Sequence, residues 1–149
     1  MQQLTQRLED LSVGNEVLDA DHRSIHAATA RLAACTTETE LRHHLSTVLE
    51  LSKIHFRREE KYMQVARFPH AKIHAGQHAR FLNTLRHYHN VTEPGFLLLI
   101  KPDLEEFLDG WLIDHVLSAD KAYQSYMIRS APELAALARE ARSAAQQAQ

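Results

Sequence analysis

Residues 55–78 read HFRREEKYMQVARFPHAKIHAGQH, with four histidines, two adjacent glutamates and a single proline. His55 stands four residues before Glu59, and His74 four residues before His78. On an α-helix, side chains four apart lie one turn above each other on the same face. Each pair therefore points one way. Pro69 separates the pairs, because proline suits the first turn of a helix and disfavours helix in the residue before it. The stretch predicts a helical hairpin whose two arms turn imidazole and carboxylate inward. Glu60 lies about 100° further round and is expected to face out as a solvated carboxylate.

Working outward, the apolar spacing of one helix face recurs in four long segments. The first is predicted from about Asp19 to Ala34, after the turn-like Gly14-Asn15, with Leu18, His22, Ile25, Thr29 and Leu32 inward. The second spans about Glu38 to Val65, with N-cap candidates in Thr36–Thr39 and Leu41, Leu45, Val48, His55, Glu59 and Met63 on its stripe. The third runs from about His70 to His89, with His74, His78, Phe81, Leu82 and Leu85 inward, and Pro94-Gly95 ends it. The fourth starts between Phe96 and Pro102 and reaches about Ile128, carrying Leu104, Phe107, Leu108, Trp111, Leu112, His115 and Tyr123. Ser130-Ala-Pro-Glu133 then reads as an N-cap, an early proline and a first-turn acid opening an Ala-rich amphipathic helix.

Short connections between long helices imply antiparallel neighbours. The expected fold is all-α: an up-down-up-down four-helix bundle with an N-terminal arm and a C-terminal helical extension. The chain is expected to form one domain over 1–149, with its core at about 12–129 and the extension at 130–149.

Composition agrees and excludes several classes. Only four Gly and four Pro occur in 149 residues. A net charge of −2 and a pI near 6.6 give no reason to expect nucleic acid or anionic membrane. The apolar run Phe96–Ile100 is far too short to span a bilayer, and MQQLTQRLED has no apolar core of a signal peptide. Cys35 stands alone, so no disulfide framework exists; a cytoplasmic home and a small core role for this thiol are expected. Histidine is the anomaly, at eleven residues. Imidazole is the commonest metal ligand.

All four predicted helices place metal-competent groups on otherwise apolar stripes: His22 on the first, His55 and Glu59 on the second, His74 and His78 on the third, His115 on the fourth, followed by Asp120. Burying such groups without partners costs several kcal/mol each for any that stay charged or unsatisfied. A metal centre satisfies them together. A structural zinc site takes four ligands, usually with cysteine, and none is placed to serve. Calcium and magnesium prefer oxygen shells. Five imidazoles and two carboxylates are too many for one ion and suit two. If both carboxylates and one solvent oxygen bridge, an iron with three histidines is closed and its neighbour with two keeps an open position for a molecule such as O2. Asp120 lies at i+5 from His115, about 140° away on an ideal α-helix. A local π-bulge between them is one way for both to converge.

The ordered set Val13-Gly14-Asn15 with Leu18-Asp19-x-x-His22, His55-Phe56-x-x-Glu59-Glu60-x-x-Met63, Phe68-Pro69-x4-His74-x3-His78-x-x-Phe81 and Trp111-Leu112-x-x-His115-x4-Asp120-x-x-Tyr123 resembles the hemerythrin family in its single-domain bacterial form. The resemblance covers about residues 12 to 126. It implies two iron ions with a bridging oxo or hydroxo group. It assigns His74, His78 and His115 to the closed iron, His22 and His55 to the open one, and Glu59 and Asp120 to the bridges. It also places Ile25, Trp111, Leu112 and Val116 around the open site, where an apolar wall keeps water and anions from displacing bound dioxygen. Three features depart from the pattern: an arm with only Leu4, Leu8 and Leu11, glycines 76 and 110 inside predicted helices, and the extension after Ser130. Of the other histidines, His26 and His70 share faces with ligands, although boundary or surface placement is the simpler reading.

The function this implies is reversible O2 binding as hydroperoxide at a five-coordinate iron, for oxygen storage, delivery or sensing rather than catalysis. NO or small anions are candidate ligands at the same position. An oxidase or peroxidase on the same irons, and a sensing module acting on a partner through 130–149, are the alternatives. A site with only two acids stabilises high-valent iron poorly, which argues against oxidation of strong C–H bonds. The chain is expected to be a monomer.

Overall fold

The computed structural model describes residues 11–148, and the described chain is helical with no strand. The expected arm falls largely outside these residues, Leu4 and Leu8 included. Leu11 and Val13 are described and buried.

Helix α1 spans Glu16–Ala33 and is started by Asn15, whose side chain accepts from the amides of Val17 and Leu18. The sequence predicts a later start at Asp19; the cap at Asn15 recruits Glu16–Leu18 as a first turn. Asp19 instead accepts from Ser12 Oγ at 2.7 Å and from the Val13 amide at 2.9 Å, holding the entering chain down. Gly14 makes that entry at φ +78°, and a Cβ there would stand 2.9 Å from Ile128 Cγ1. Only glycine fits both constraints.

Helix α2, Glu38–Val65, matches the expected bounds. A capping box opens it: Thr37 accepts from the Glu40 amide while Glu40 accepts from the Thr37 amide. Arg67 at φ +55° ends it, with the Phe68 amide reaching back to the Met63 carbonyl at 2.9 Å. That tight stop turns the chain into α3, Ala71–His89.

The fourth rod is compound. It consists of α4 (Phe96–Leu99), α5 (Lys101–His115 with Pro102 in its first turn), a π-helical turn (Val116–Asp120), a 3₁₀ turn (Lys121–Tyr123) and α6 (Gln124–Arg129). A short first helix broken at Ile100 settles the ambiguity at Phe96–Pro102.

Helix α7, Ala131–Gln147, is the extension. Leu134 is buried and Leu137 half-buried in a cluster with Leu11, Tyr62 and Met127, so its first turns pack on the bundle. Residues 139–148 are exposed. Ser130 sits at the N-cap position, but its side chain makes no capping hydrogen bond, contrary to the expected cap.

The core divides along the rods. One cluster holds Leu32, Leu41, Leu45, Phe81, Leu85, Leu97 and Leu104; the other holds Leu18, Met63, Tyr123 and Met127. A Cβ at Gly110 would meet nothing within 4 Å, so no close helix approach explains this glycine. Gly110→Ala is expected to raise stability by about 0.5–1 kcal/mol, read as a higher denaturant midpoint at unchanged slope.

Candidate metal centre

His22 on α1, His55 and Glu59 on α2, His74 and His78 on α3, and His115 and Asp120 on the fourth rod are all buried, Glu59 and Asp120 completely. The i, i+4 stripes bring them there, and the π turn Val116–Asp120 brings the last. In i→i+5 geometry a residue five positions on returns to the same face, so Asp120 reaches His115 Nε2 at 3.1 Å. The anticipated bulge is present.

The donor atoms form two groups, each with its atoms within 4.8 Å of one another. The larger contains Glu59, His74, His78, His115 and Asp120; the smaller contains His22, His55 and Glu59. In the larger group, His115 Nε2 lies 3.1 Å from both His78 Nε2 and His74 Nε2. Glu59 Oε2 stands 2.9 Å from His78 Nε2 and 3.3 Å from His74 Nε2, while Asp120 Oδ1 stands 3.1 Å from His74 Nε2. The other oxygens face the smaller group. Asp120 Oδ2 is 3.2 Å from His22 Nε2, and Glu59 Oε1 is 3.8 Å from His55 Nε2. Each carboxylate thus gives one oxygen to each half.

Several of these contacts lack hydrogen-bond alignment. Glu59 Oε2, both Asp120 oxygens and both His22 nitrogens are buried without a hydrogen-bond partner. Buried polar atoms are normally satisfied, and unaligned donor atoms crowded about common points are what cations would satisfy. Imidazole and carboxylate donors in this proportion fit a transition metal, iron among them.

Without a metal, protons take part of that role. Burial by itself lowers the His74 pKa, but close contacts with Asp120 and Glu59 outweigh it and raise the value to about 9. His78 and His22 are raised in the same way, against burial, by Glu59 and Asp120 respectively. Burial lowers His115, and the nearby His78 and His74 push it the same way. Burial opposes ionisation of Asp120, yet the surrounding imidazoles hold it well below the usual carboxylate range.

The outer contacts explain how the rings are aimed. His78 Nδ1 lies 3.0 Å from Glu60 Oε1, and His55 Nδ1 lies 3.3 Å from Asp21 Oδ2, itself held by Arg58. Glu60 is half-exposed as its angle predicts, but it is no idle surface acid. Carboxylates of this kind fix ring orientation and raise ligand basicity. Glu60→Ala is therefore expected to weaken iron affinity about 10-fold, with Glu60→Gln milder, read by competition with a chelator. The Tyr123 hydroxyl donates to Glu59 Oε1, the oxygen that faces the smaller group, and so holds that carboxylate in place. Asp21, Glu60 and Tyr123 carry roles that helix periodicity alone does not reveal. Asp21 and Glu60 each directly neighbour a candidate ligand, which is the one signal available.

Of the expected pocket residues, Ile25, Leu112 and Val116 are buried, each within one turn of a clustered histidine. Trp111 is half-buried and stacks on His115, with ring centroids 4.2 Å apart and planes at 12°. Phe56 stacks likewise on His78, at 3.9 Å and 7°. His26 is half-buried, with Nε2 lacking a partner, and His70 is exposed.

The family model described as the Hemerythrin HHE cation binding domain matches residues 13–127, most of the chain. This chain belongs to the hemerythrin family. Among similar proteins, a bacteriohemerythrin of Stenotrophomonas maltophilia (strain R551-3) is 27% identical over 118 residues, covering 77% of this chain and 76% of its own. The hemerythrin subunit alpha of Lingula reevii is 25% identical over 116 residues, covering 78% and 89% respectively. No solved structure matches significantly. The hemerythrin match ends at 127, so α7 lies beyond it. Among the described residues, no helix is long and apolar enough to cross a membrane.

Proposed function

We propose that this hemerythrin-family chain binds O2 reversibly at a di-iron centre. The observation that carries the reading is the division of Glu59 and Asp120 oxygens between a three-histidine and a two-histidine half. In this reading His74, His78 and His115 would hold one iron and His22 and His55 the other, with Glu59 and Asp120 shared between them. Two irons held there would supply the redox chemistry of O2 binding. The bacteriohemerythrin similarity supports the same assignment.

The chain's own residues supply the setting. Ile25, Leu112 and Val116 are buried within one turn of the clustered histidines, and the Trp111 ring covers one face of His115. Tyr123 and Glu60 hold Glu59 and His78 in place, so an arriving ligand meets donors already aimed. With two carboxylates against five imidazoles, the donor set favours carrying O2 over forcing it into oxidation chemistry. The test is optical titration of the iron-loaded, anaerobically reduced protein with O2, followed by removal of the gas. A charge-transfer band that appears with O2 and vanishes on degassing is expected. Rapid irreversible oxidation without such a band would sink the carrier reading.

A further inference from the structure

Charge is unevenly placed along this chain. Residues 51–89 carry eight Lys or Arg against two Asp or Glu, while the rest carries nine against seventeen. Of those two acids, Glu59 is fully buried and Glu60 is turned onto His78. The C-terminal half of α2 and the whole of α3 are therefore a cationic hairpin on a molecule of net charge −2.

Between these two helices runs a groove of about 590 Å³. Lys53, Arg57 and Arg86 line it together with Leu82, Phe56 and His78. Arg57 and Arg86 are exposed, and Lys53 is paired with Glu50 at 2.6 Å. Phe56 is buried and lies flat on the His78 ring. One aromatic layer thus joins the groove to a residue of the metal cluster. Groove cations set around an apolar floor match a protein face bearing carboxylates. Glu50 and Glu60 also line the groove; Glu50 is paired with Lys53 and Glu60 is turned onto His78, so Arg57 and Arg86 are the cations left to meet an acidic face.

We propose that the α2–α3 groove docks the acidic face of a one-electron carrier protein, which returns electrons to the centre after oxidation. The proposal rests on the di-iron reading above. Each carrier molecule is oxidised by one electron, and two encounters restore the two electrons that a fully oxidised pair lacks. No atom is transferred. The cationic hairpin steers the encounter, and His78, which lines the groove with Phe56 stacked on its ring, is the direct contact from the groove inward.

The test uses the iron-loaded protein, with a reduced plant-type [2Fe–2S] ferredoxin as the acidic carrier and dithionite as the small-molecule control. The wild type is expected to bind the ferredoxin by calorimetry and to be reduced at a rate that falls as salt rises. Arg57→Glu combined with Arg86→Glu is expected to lower affinity and reduction rate about tenfold or more. Iron content and reduction by dithionite should stay unchanged in that variant. Equal ferredoxin reduction of variant and wild type would overturn the proposal. So would a wild type that ignores ferredoxin but binds RNA or anionic vesicles through these arginines. The binding measurement is repeated on metal-free protein, so a chain that holds no iron pair defeats the di-iron reading separately from the docking site.

Discussion

Asp120→Ala is expected to lose iron from both halves of the site, with affinity falling more than about 100-fold. That exceeds the 10–100-fold typical of residues that only support a ligand. Asp120 stands within 3.2 Å of His22, His74 and His115, so its removal strips one donor from each half and leaves three imidazoles without their counter-charge. Asp120→Asn, which keeps the shape, separates loss of charge from loss of fold. Circular dichroism should show both variants helical, while iron per chain after anaerobic loading and desalting drops. Glu59→Ala should behave alike, and two irons retained in that variant would refute the shared-carboxylate assignment.

The second large effect is the coupling of metal to protons. His74 is raised from 6.5 to about 9 in the metal-free protein, so near neutrality it carries a proton that iron must displace. Apparent iron affinity should therefore climb as pH rises toward about 9, by up to tenfold per pH unit for each proton displaced. Metal-free stability follows the opposite sign. A raised imidazole contributes stability that is fully present below 6.5 and is lost as pH rises through about 9. The metal-free chain should thus lose melting temperature over that window while iron loading becomes tighter. Proton release on adding Fe²⁺ under anaerobic conditions, followed by pH-stat, measures the first effect. Uptake without proton release near pH 7.5 would contradict it.

Much of this molecule was readable from its spacing because candidate ligands replace apolar residues on helix faces that are otherwise regular. His55 and Glu59, or His74 and His78, announce themselves by interrupting a stripe at i+4 without breaking its period. The turn at Asp120 was readable only as a misfit: i+5 does not close on an α-helix, and the chain answers with a π turn. Glu60 shows the limit of face arithmetic. Its angle predicts a solvated carboxylate, but the side chain is only partly exposed and reaches across the α2–α3 seam to His78 Nδ1. Asp21 acts across the α1–α2 seam in the same way, and periodicity contains no information about what flanking residues touch. Ser130 had the composition of a cap without its geometry. Its φ of −98° and ψ of 15° lie outside the extended conformation of a capping residue.

The asymmetric pair itself is most directly tested by crystallography of the iron-loaded protein with anomalous data at the iron edge. The account predicts two iron peaks about 3.5–4 Å apart, one beside His74, His78 and His115 and the other beside His22 and His55, with Glu59 and Asp120 between them. A single iron, or two irons each held by the same number of histidines, would contradict it.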